Sequence, residues 1–264
     1  MRSLVRTMCL FCWVMYPAAA LHAQTIPEYN RSIGIEKLER YLDLKKPEGE
    51  GPFPAVILAA ECFGFRSAYT VQHYDDVQQK LVDEGYVVVK AQINRARWEY
   101  ACDDGGYTRN AGARDIRIIA EYLREQDFVL PKRIAAWGWE FGGNLALLSG
   151  SLEITAPLHA VIAYYPTCRS LWEWQPLVPM LVIAGDSDNY APLTKCLEVF
   201  NEHPEFVYVQ ILRNSHFFFD VEILMQQPVL YYRGHVAHNP RSTETAWKEV
   251  LHFLRASPDA GHIE

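Results

Sequence analysis

The sequence predicts an α/β fold with a mostly parallel central sheet and helices on both faces. Between residues 35 and 257, short β-branched runs alternate with amphipathic stretches, which is typical of strands joined through crossover helices. The strand-like runs are almost continuously apolar, as in parallel strands that are buried on both faces. Because no Pro-, Gly- or Ser-rich linker and no repeat divides the chain, we expect a single domain over residues 24–264.

Each element of this fold is predicted from its own pattern. Five buried parallel strands are followed by a sixth strand, and their predicted ranges are 54–60, 86–91, 133–138, 160–164, 180–184 and 206–212. Amphipathic helices, the last one capped by Ser242, are predicted over 71–84, 111–126, 141–152, 193–202 and 243–256. An edge strand is expected around residues 38–44. Sheets of this kind bind ligands at the carboxyl ends of their strands, so we expect the site in the loops there.

The first 23 residues have the organisation of a cleaved signal peptide. Two arginines precede an apolar run over residues 8–16 and a small-residue stretch that ends at Ala23. The run is shorter than the roughly 20 residues that span a bilayer. A membrane anchor is the alternative, because Leu21 is large for its place before the cleavage site. We expect cleavage after Ala23, export to the periplasm or the cell exterior, and no membrane association afterwards.

The net charge and the number of cysteines bear on which partners the protein binds and in which compartment it folds. Removing residues 1–23 changes the formal charge from −7 to −9, because two arginines and no acidic residue are lost. A negative chain gives no support to binding of nucleic acid or of acidic membranes. We expect a small-molecule substrate as the partner, and a monomer or homodimer. Four cysteines remain, which is compatible with two disulfides in an oxidising compartment, with one disulfide, or with four free thiols.

The most specific motif is Trp-Gly-Trp-Glu-Phe-Gly-Gly at residues 137–143, between a predicted strand and a predicted helix. In the nucleophile-elbow motif G-x-S-x-G, the central residue sits in a strained turn, and the flanking glycines let the helix pack closely on the strand. Gly138 and Gly142 meet that requirement. Glu140 stands where a serine or cysteine is expected, and we predict that it is a catalytic residue.

Two further segments follow strands in the order that an α/β-hydrolase fold requires. Asp188 lies after the fifth buried strand and is the candidate acid, with Asp186 as the alternative. His216 follows the sixth strand in an apolar loop and is the candidate imidazole. The chain order of elbow, acid and histidine matches the α/β-hydrolase order and differs from that of chymotrypsin and subtilisin. We therefore predict a catalytic set of Glu140, Asp188 and His216.

These landmarks resemble those of the dienelactone hydrolase family. The resemblance spans residues 35–257, and the segments that carry it are Ala60-Glu61-Cys62-Phe63-Gly64, the elbow, residues 185–192 and Ser215-His216-Phe217. It implies an α/β-hydrolase fold and hydrolysis of an ester or a lactone. It also favours Cys62–Cys102 and Cys168–Cys196 among the three possible pairings of the cysteines. No G-x-G-x-x-G follows the first buried strand, so a dinucleotide is not expected, and we predict no cofactor.

The resemblance also implies roles for single residues. The backbone N–H groups of Cys62 and Phe141 would form the oxyanion hole. Glu61 matches a glutamate that holds the family's cysteine nucleophile in place, and Arg97 matches an arginine that binds a substrate carboxylate. A solvated loop cation is the alternative interpretation of Arg97, because a lone arginine carries little information.

A glutamate at the elbow leaves three hypotheses for function. The first is a hydrolase in which Glu140 acts as nucleophile or base, and the presence of His216 and Asp188 favours it. The second is a catalytically inactive protein that binds a small molecule on the same fold. The third is a hydrolase whose nucleophile is displaced to Cys62 or Ser215. Attack of a carboxylate on an ester would form a mixed anhydride, so a serine-type mechanism does not transfer directly to this elbow.

The expected site has a defined geometry. Glu140, Asp188 and His216 should converge, with the imidazole within hydrogen-bond reach of Asp188. Glu61 and Glu140 should crowd one pocket, where burial and like charge raise at least one carboxyl pKa and draw His216 toward its protonated form. Two carboxylates and an imidazole are also possible ligands of a transition metal, but we predict no metal at Glu61, Glu140 and His216.

Overall fold

The computed structural model describes residues 33–68, 70–97, 109–168, 171, 174–224, 226–231 and 234–259. Within these residues, seven strands form the central sheet. They are β1 (Leu42–Lys45), β2 (Phe53–Ala59), β3 (Val87–Ala91), β4 (Val129–Trp139), β5 (Ala160–Tyr164), β6 (Met180–Gly185) and β7 (Val207–Leu212). The strand order is β1-β3-β2-β4-β5-β6-β7, with β1 antiparallel to β3 and all other neighbours parallel. The predicted α/β fold with a mostly parallel sheet is confirmed.

Helices cover both faces of this sheet. In chain order they are α1 (Ile35–Leu38), α2 (Val71–Asp83), α3 (Ile93–Ala96), α4 (Arg109–Arg124), α5 (Phe141–Ser149), α6 (Thr194–Asn201) and α7 (Pro240–Ala256). Alternate residues of each inner strand enter different cores: Ile57 packs in the core under α4, α5 and α6, and its neighbour Leu58 packs in the core under α2 and α7. The inner strands are therefore apolar on both faces, which is why they read as continuous apolar runs.

The observed starts of β4 and α7 differ from the predicted starts. The strand expected at 133–138 begins at Val129, because Val129 pairs with Phe53 across a register shift in the sheet. The N-cap of α7 is Asn239, whose side chain accepts a hydrogen bond from the N–H of Ser242, so Ser242 is not the cap as predicted. The hydroxyl of Ser242 instead lies 2.7 Å from the hydroxyl of Ser215.

Beyond the main sheet, β8 (Val229–Tyr231) and β9 (Gly234–Val236) form a short antiparallel pair. None of the helices in the described part of the chain is long and apolar enough to cross a bilayer. The predicted signal peptide, residues 1–23, lies outside the described residues.

Candidate active site

Glu140 occupies a strained turn between β4 and α5. Its backbone has φ 50° and ψ −107°, a conformation that costs an L-residue on the order of 1–3 kcal/mol and that clusters at functional sites. The flanking glycines make the turn possible. A Cβ on Gly138 would lie 2.0 Å from the carbonyl oxygen of Gly142, and a Cβ on Gly142 would lie 2.0 Å from that of Ala59. The structure thus forms the elbow that the sequence predicts, with a buried Glu140 at its tip.

Glu61 lies in the loop after β2, and its side chain is buried. Its carboxylate accepts hydrogen bonds from the N–H of Phe63 at 2.5 Å and from the hydroxyl of Thr70 at 3.1 Å. Burial raises the pKa of Glu61 from 4.5 to about 7, and repulsion from Glu140 adds to the rise, while the two hydrogen bonds oppose it. This agrees with the expectation that at least one of the two carboxyl pKa values is raised. That Glu61 and Glu140 share one pocket stays a prediction.

We expect the folded state to lose stability as the pH rises from about 4.5 to about 7, because the buried Glu61 must then ionise. A carboxyl group whose pKa is raised by folding holds its proton more tightly in the folded state. Its contribution is therefore complete below pH 4.5 and is lost as the pH passes the folded-state value of about 7. A rise of this size corresponds to roughly 3 kcal/mol. Urea unfolding of the wild type and of Glu61→Gln across this pH range measures the effect.

The variant isolates Glu61 from other groups that titrate in the same range, because they contribute equally to both proteins. Glu198→Gln, which changes an exposed glutamate on α6, is the matched control and should leave the wild-type pH profile unchanged. Parallel pH profiles for the wild type and Glu61→Gln would contradict the assignment of a raised pKa to Glu61.

Asp188 is held in the turn after β6. Its Oδ1 accepts hydrogen bonds from the N–H groups of Tyr190 and Ala191, both at 2.8 Å. Burial raises its pKa from 3.8 to about 6 against the opposing effect of these bonds. The alternative acid, Asp186, is exposed and accepts a hydrogen bond from the neighbouring Ser187. The contrast in burial supports Asp188 over Asp186 as the candidate acid.

The loops that carry Asp188 and His216 are packed against each other. A Cβ on Gly185 would lie 1.9 Å from the carbonyl oxygen of Ser215, which also accepts a hydrogen bond from the N–H of Ser187 at 3.1 Å. Such an approach of two backbones is open only to glycine. The turn after β6 and the turn after β7 are therefore adjacent, as the predicted pairing of acid and imidazole requires.

The predicted hydrogen bond between Asp188 and His216 is not formed. The Oδ2 atom of Asp188 and the Nδ1 atom of His216 are both buried, and neither has a hydrogen-bond partner among the described residues. The other oxygen of Asp188 accepts from two backbone N–H groups of its own turn. Catalytic hydrogen bonds are often long in a ligand-free site and tighten when substrate binds. The convergence of Glu140 with these two residues stays a prediction.

A sequence profile of the dienelactone hydrolase family matches residues 41–257 of the chain. The chain belongs to the dienelactone hydrolase family. Membership indicates hydrolase activity on a small-molecule substrate. None of the curated proteins compared with the chain matches it.

Solved structures share the fold at low sequence identity. A presumed dienelactone hydrolase from Klebsiella pneumoniae has a TM-score of 0.64 and 15% identity over 81% of this chain and 92% of its own. A dienelactone hydrolase-like promiscuous phosphotriesterase from metagenomic libraries has a TM-score of 0.61 and 18% identity over 81% of this chain and 91% of its own. Propionate-bound esterase 2 of Thermogutta terrifontis has a TM-score of 0.57 and 16% identity over 80% and 89%. At these identities the likeness establishes the fold alone.

In this dienelactone hydrolase family member, neither alternative nucleophile is available. Cys62 is disulfide-bonded, so it has no thiolate to offer. Ser215 is fully buried, and its hydroxyl contacts the carbonyl of Arg213, the hydroxyl of Ser242 and the amide of Asn239. The structure therefore contradicts the hypothesis of a displaced nucleophile at Cys62 or Ser215, and Glu140 remains the candidate at the elbow.

The two predicted oxyanion donors lie at suitable places in the fold. Phe141 is the first residue of α5, and an N–H at this position points out of the N-terminal end of a helix. Cys62 lies in the loop after β2, where the amide of Asn94 donates to its carbonyl oxygen at 2.8 Å. Helix N-termini favour developing negative charge. The roles of Cys62 and Phe141 in binding an oxyanion stay predictions.

Arg97 has a partner that the sequence did not reveal. Its guanidinium donates to both carboxylate oxygens of Asp115 on α4, at 2.6 and 3.0 Å, and to the carbonyl of Ala111 at 3.4 Å. The Arg97 and Asp115 side chains are only 4% and 0% exposed. The interpretation of Arg97 as a solvated loop cation is therefore wrong. The implied contact of Arg97 with a substrate carboxylate stays a prediction, and the bidentate pair with Asp115 argues for a structural role.

One predicted disulfide is confirmed. Cys168 and Cys196 are bonded with an S–S length of 2.07 Å and a Cα–Cα distance of 5.5 Å, which is below the upper limit of about 7 Å. It ties the loop after β5 to α6. In the other predicted pair, Cys62–Cys102, Cys102 lies outside the described residues.

A buried polar cluster behind the elbow was missed by the sequence prediction. Asp220 accepts hydrogen bonds from the indole N–H of Trp139 and the hydroxyl of Tyr165, both at 2.8 Å, and His73 Nε2 lies 3.2 Å from its carboxylate. Trp139 immediately precedes Glu140. The available signal was the final aspartate of the segment that contains His216, but its partners come from separate elements that only folding brings together.

A cavity of about 600 Å³ opens beside Glu61 at the carboxyl ends of β2 and β3. Its walls combine aromatic, apolar and polar side chains, among them Tyr41, Phe63, Phe65, Asn94, Arg95 and Leu145. A cavity of this size and mixed lining is typical of small-molecule sites. Among the residues that the structure describes, no three His, Cys, Asp or Glu side chains are placed to hold a metal ion.

Proposed function

We propose that this protein hydrolyses a small ester or lactone after export from the cytoplasm, with Glu140 as the reacting carboxylate and His216 and Asp188 as its partners. The elbow carries the proposal. The chain keeps Glu140 at φ 50° and keeps two glycines whose neighbours leave no room for a side chain. Strain of this kind persists where the surrounding structure enforces it, and it concentrates at functional sites.

The chemistry that suits Glu140 best is general-base catalysis. Its carboxylate would take a proton from a water molecule while the water oxygen bonds to the carbonyl carbon of the substrate. The electron pair of the carbonyl bond moves to oxygen, and the N–H groups of Cys62 and Phe141 would stabilise that oxyanion. When the oxyanion collapses, the proton that Glu140 took from the water passes through His216 to the leaving alcohol, which returns Glu140 to its carboxylate form. This route avoids the mixed anhydride that direct attack by the carboxylate would form.

The raised pKa of Glu61 supports the assignment of Glu140 as the general base. At neutral pH a carboxyl group with a pKa of about 7 carries its proton about half of the time. When Glu61 is protonated, repulsion of the Glu140 carboxylate is relieved. Two carboxyl groups with unequal environments are a common way to assign an acid and a base within one site.

A second candidate function is binding of a small molecule without turnover. The observation that favours it is the missing hydrogen bond between Asp188 and His216, since each leaves a buried polar atom without a partner among the described residues. The elbow also lacks the hydroxyl or thiol of an acyl-transfer enzyme. The family fold would then serve as a binding scaffold.

The deciding experiment is an assay of the mature protein on short p-nitrophenyl esters, lactones and epoxides, beside Glu140→Gln and Glu140→Ser. We expect Glu140→Gln to lower kcat/KM by about 10²–10⁴-fold, because a general base contributes on that scale. Glu198→Gln, an exposed glutamate, should keep wild-type activity.

Each outcome has a meaning. Activity that is retained in Glu140→Gln would overturn the role of Glu140. A wild type that is inactive on all substrates, beside an active Glu140→Ser, would establish the binding function on a preserved scaffold. Export is tested separately by the N-terminal mass of the secreted protein, which should begin at Gln24; retention of residues 1–23 would contradict it.

A further inference from the structure

A second cavity lies in the crevice between α2 and α7. It measures about 220 Å³. Its lining includes His73 and Val77 from α2, Thr243 and Trp247 from α7, and Trp137 and Tyr164 from the sheet. This volume is below the roughly 300 Å³ at which pockets for drug-sized ligands begin, so it suits a molecule of only a few heavy atoms.

Trp137, on the sheet side of this cavity, carries a hydrogen-bond donor without a partner. The residue is 1% exposed, and its Nε1 is buried with no hydrogen-bond partner among the described residues. A buried N–H without an acceptor is costly, and such groups are rare in folded proteins. Because Trp137 belongs to the cavity lining, an acceptor oxygen on a bound molecule that reaches Nε1 would satisfy this donor.

The aromatic rings around the cavity suit a positive group. Three aromatic residues, Trp137, Tyr164 and Trp247, belong to the described lining of the cavity. A cation that lies within about 6 Å of such ring centres is attracted by their electron-rich faces, and quaternary ammonium groups are recognised in this way.

The charged side chains around the cavity also favour a cationic ligand. The described lining holds three carboxylates, from Asp76, Asp220 and Glu222, against one lysine, Lys80, and one histidine, His73. His73 is paired with Asp220, and Lys80 lies 3.9 Å from Glu222. The described lining therefore carries more carboxylates than cationic side chains, which disfavours an anionic ligand and favours a cationic one.

We propose that the crevice between α2 and α7 is a binding site for a small organic cation, a primary or quaternary ammonium compound with a hydroxyl or carbonyl oxygen. The oxygen accepts from Trp137 Nε1, and the ammonium group lies against Trp247 and the carboxylates of the lining. The site is separate from the cavity beside Glu61, so it does not depend on the function proposed for Glu140.

Choline is the probe, and 3,3-dimethyl-1-butanol is its control because it has the same shape and hydroxyl without the charge. Titration into the mature protein is followed by NMR of the indole N–H signals, and loss of one signal in Trp137→Phe identifies that of Trp137. We expect choline to shift this signal and to bind at least ten-fold more tightly than the neutral alcohol.

Two variants separate the aromatic and hydrogen-bond contributions. Trp247→Leu should weaken choline binding by roughly 2- to 30-fold, the range that one cation–π contact contributes. Trp137→Phe keeps an aromatic ring but removes the indole N–H together with part of the ring system, and it should weaken binding several-fold. Glu198→Gln, far from the crevice on α6, should leave choline affinity unchanged.

The proposal is overturned if choline leaves the Trp137 signal unmoved, or if the neutral alcohol binds as tightly as choline. It is also overturned if choline binds with equal affinity to Trp137→Phe and to the wild type, because the ligand would then occupy another cavity.

Discussion

Gly142→Ala should cost more than about 4 kcal/mol of folding free energy or displace the elbow. The added Cβ would lie 2.0 Å from the carbonyl oxygen of Ala59 and 2.4 Å from that of Ala60. Both contacts are with backbone atoms at the end of β2, which cannot move aside as a flexible side chain can. Ordinary overpacking costs about 1–3 kcal/mol, and a backbone clash at a helix-strand contact exceeds that range. Urea unfolding with a far-UV signal measures the loss.

The expected sign is opposite to that of a usual glycine-to-alanine change. In a helix interior, alanine is favoured over glycine by about 1 kcal/mol. Gly143→Ala is the matched control, because it follows directly in α5 and its Cβ would meet backbone oxygens only at 3.3 Å. We expect Gly143→Ala to change stability by less than about 1 kcal/mol. A Gly142→Ala protein with the wild-type unfolding midpoint would show that α5 does not pack on β2 as described.

Asp220→Ala should cost about 4 kcal/mol. The change leaves the indole N–H of Trp139 and the hydroxyl of Tyr165 without their buried acceptor, and it removes the carboxylate that lies 3.2 Å from His73 Nε2. Each orphaned donor costs about 1–3 kcal/mol. Asp220→Asn should show an intermediate loss, since its amide retains one acceptor oxygen but presents N–H groups to the remaining donors.

The pH dependence of this loss provides an independent check. The pKa of Asp220 is lowered from 3.8 in the folded protein: burial raises it, but His73 and the donated hydrogen bonds outweigh burial. A lowered pKa means that the stabilisation is present above about pH 4 and is lost as the pH falls through the folded-state value. The difference between the wild type and Asp220→Ala should therefore shrink in strong acid.

The control for Asp220→Ala is Asp83→Ala at an exposed carboxylate on α2. It should change stability by no more than about 0.5 kcal/mol, as surface substitutions usually do. Equal stability of Asp220→Ala and Asp83→Ala would contradict the buried cluster. Because Trp139 immediately precedes Glu140, Asp220→Ala should also lower any activity that depends on the elbow, whereas Asp83→Ala should not.

The elements that the sequence predicts correctly are those whose structure depends on residues close together in the chain. Apolar runs bounded by turn residues mark strands that are buried on both faces, so the order and approximate ranges of β2 to β7 follow from the sequence. The elbow is equally local, since a residue at φ 50° needs small neighbours and the motif shows them at Gly138 and Gly142. The Cys168–Cys196 pairing was implied by the family resemblance and is confirmed.

Other features depend on residues that are far apart in the chain. The sequence could not show that Arg97 belongs to a buried ion pair. Its partner Asp115 lies on α4, and the two side chains meet only when α4 packs beside the segment that carries Arg97. The N-cap of α7 is Asn239 because the helix begins at Pro240, which leaves Ser242 inside the helix, where its hydroxyl contacts that of Ser215.

By itself, the sequence determined the fold class, the elbow with Glu140 at its centre, and the order of the candidate acid and histidine along the chain. A buried strand and a strained turn each depend on residues that are neighbours in the chain, so both can be predicted from a short segment of sequence. Only the tertiary structure decided that the pKa of Glu61 is raised to about 7, and that the turns that carry Asp188 and His216 are packed together without a hydrogen bond between the two side chains. Burial and charge depend on distances between residues remote in sequence, and only the packed sheet and helices set those distances.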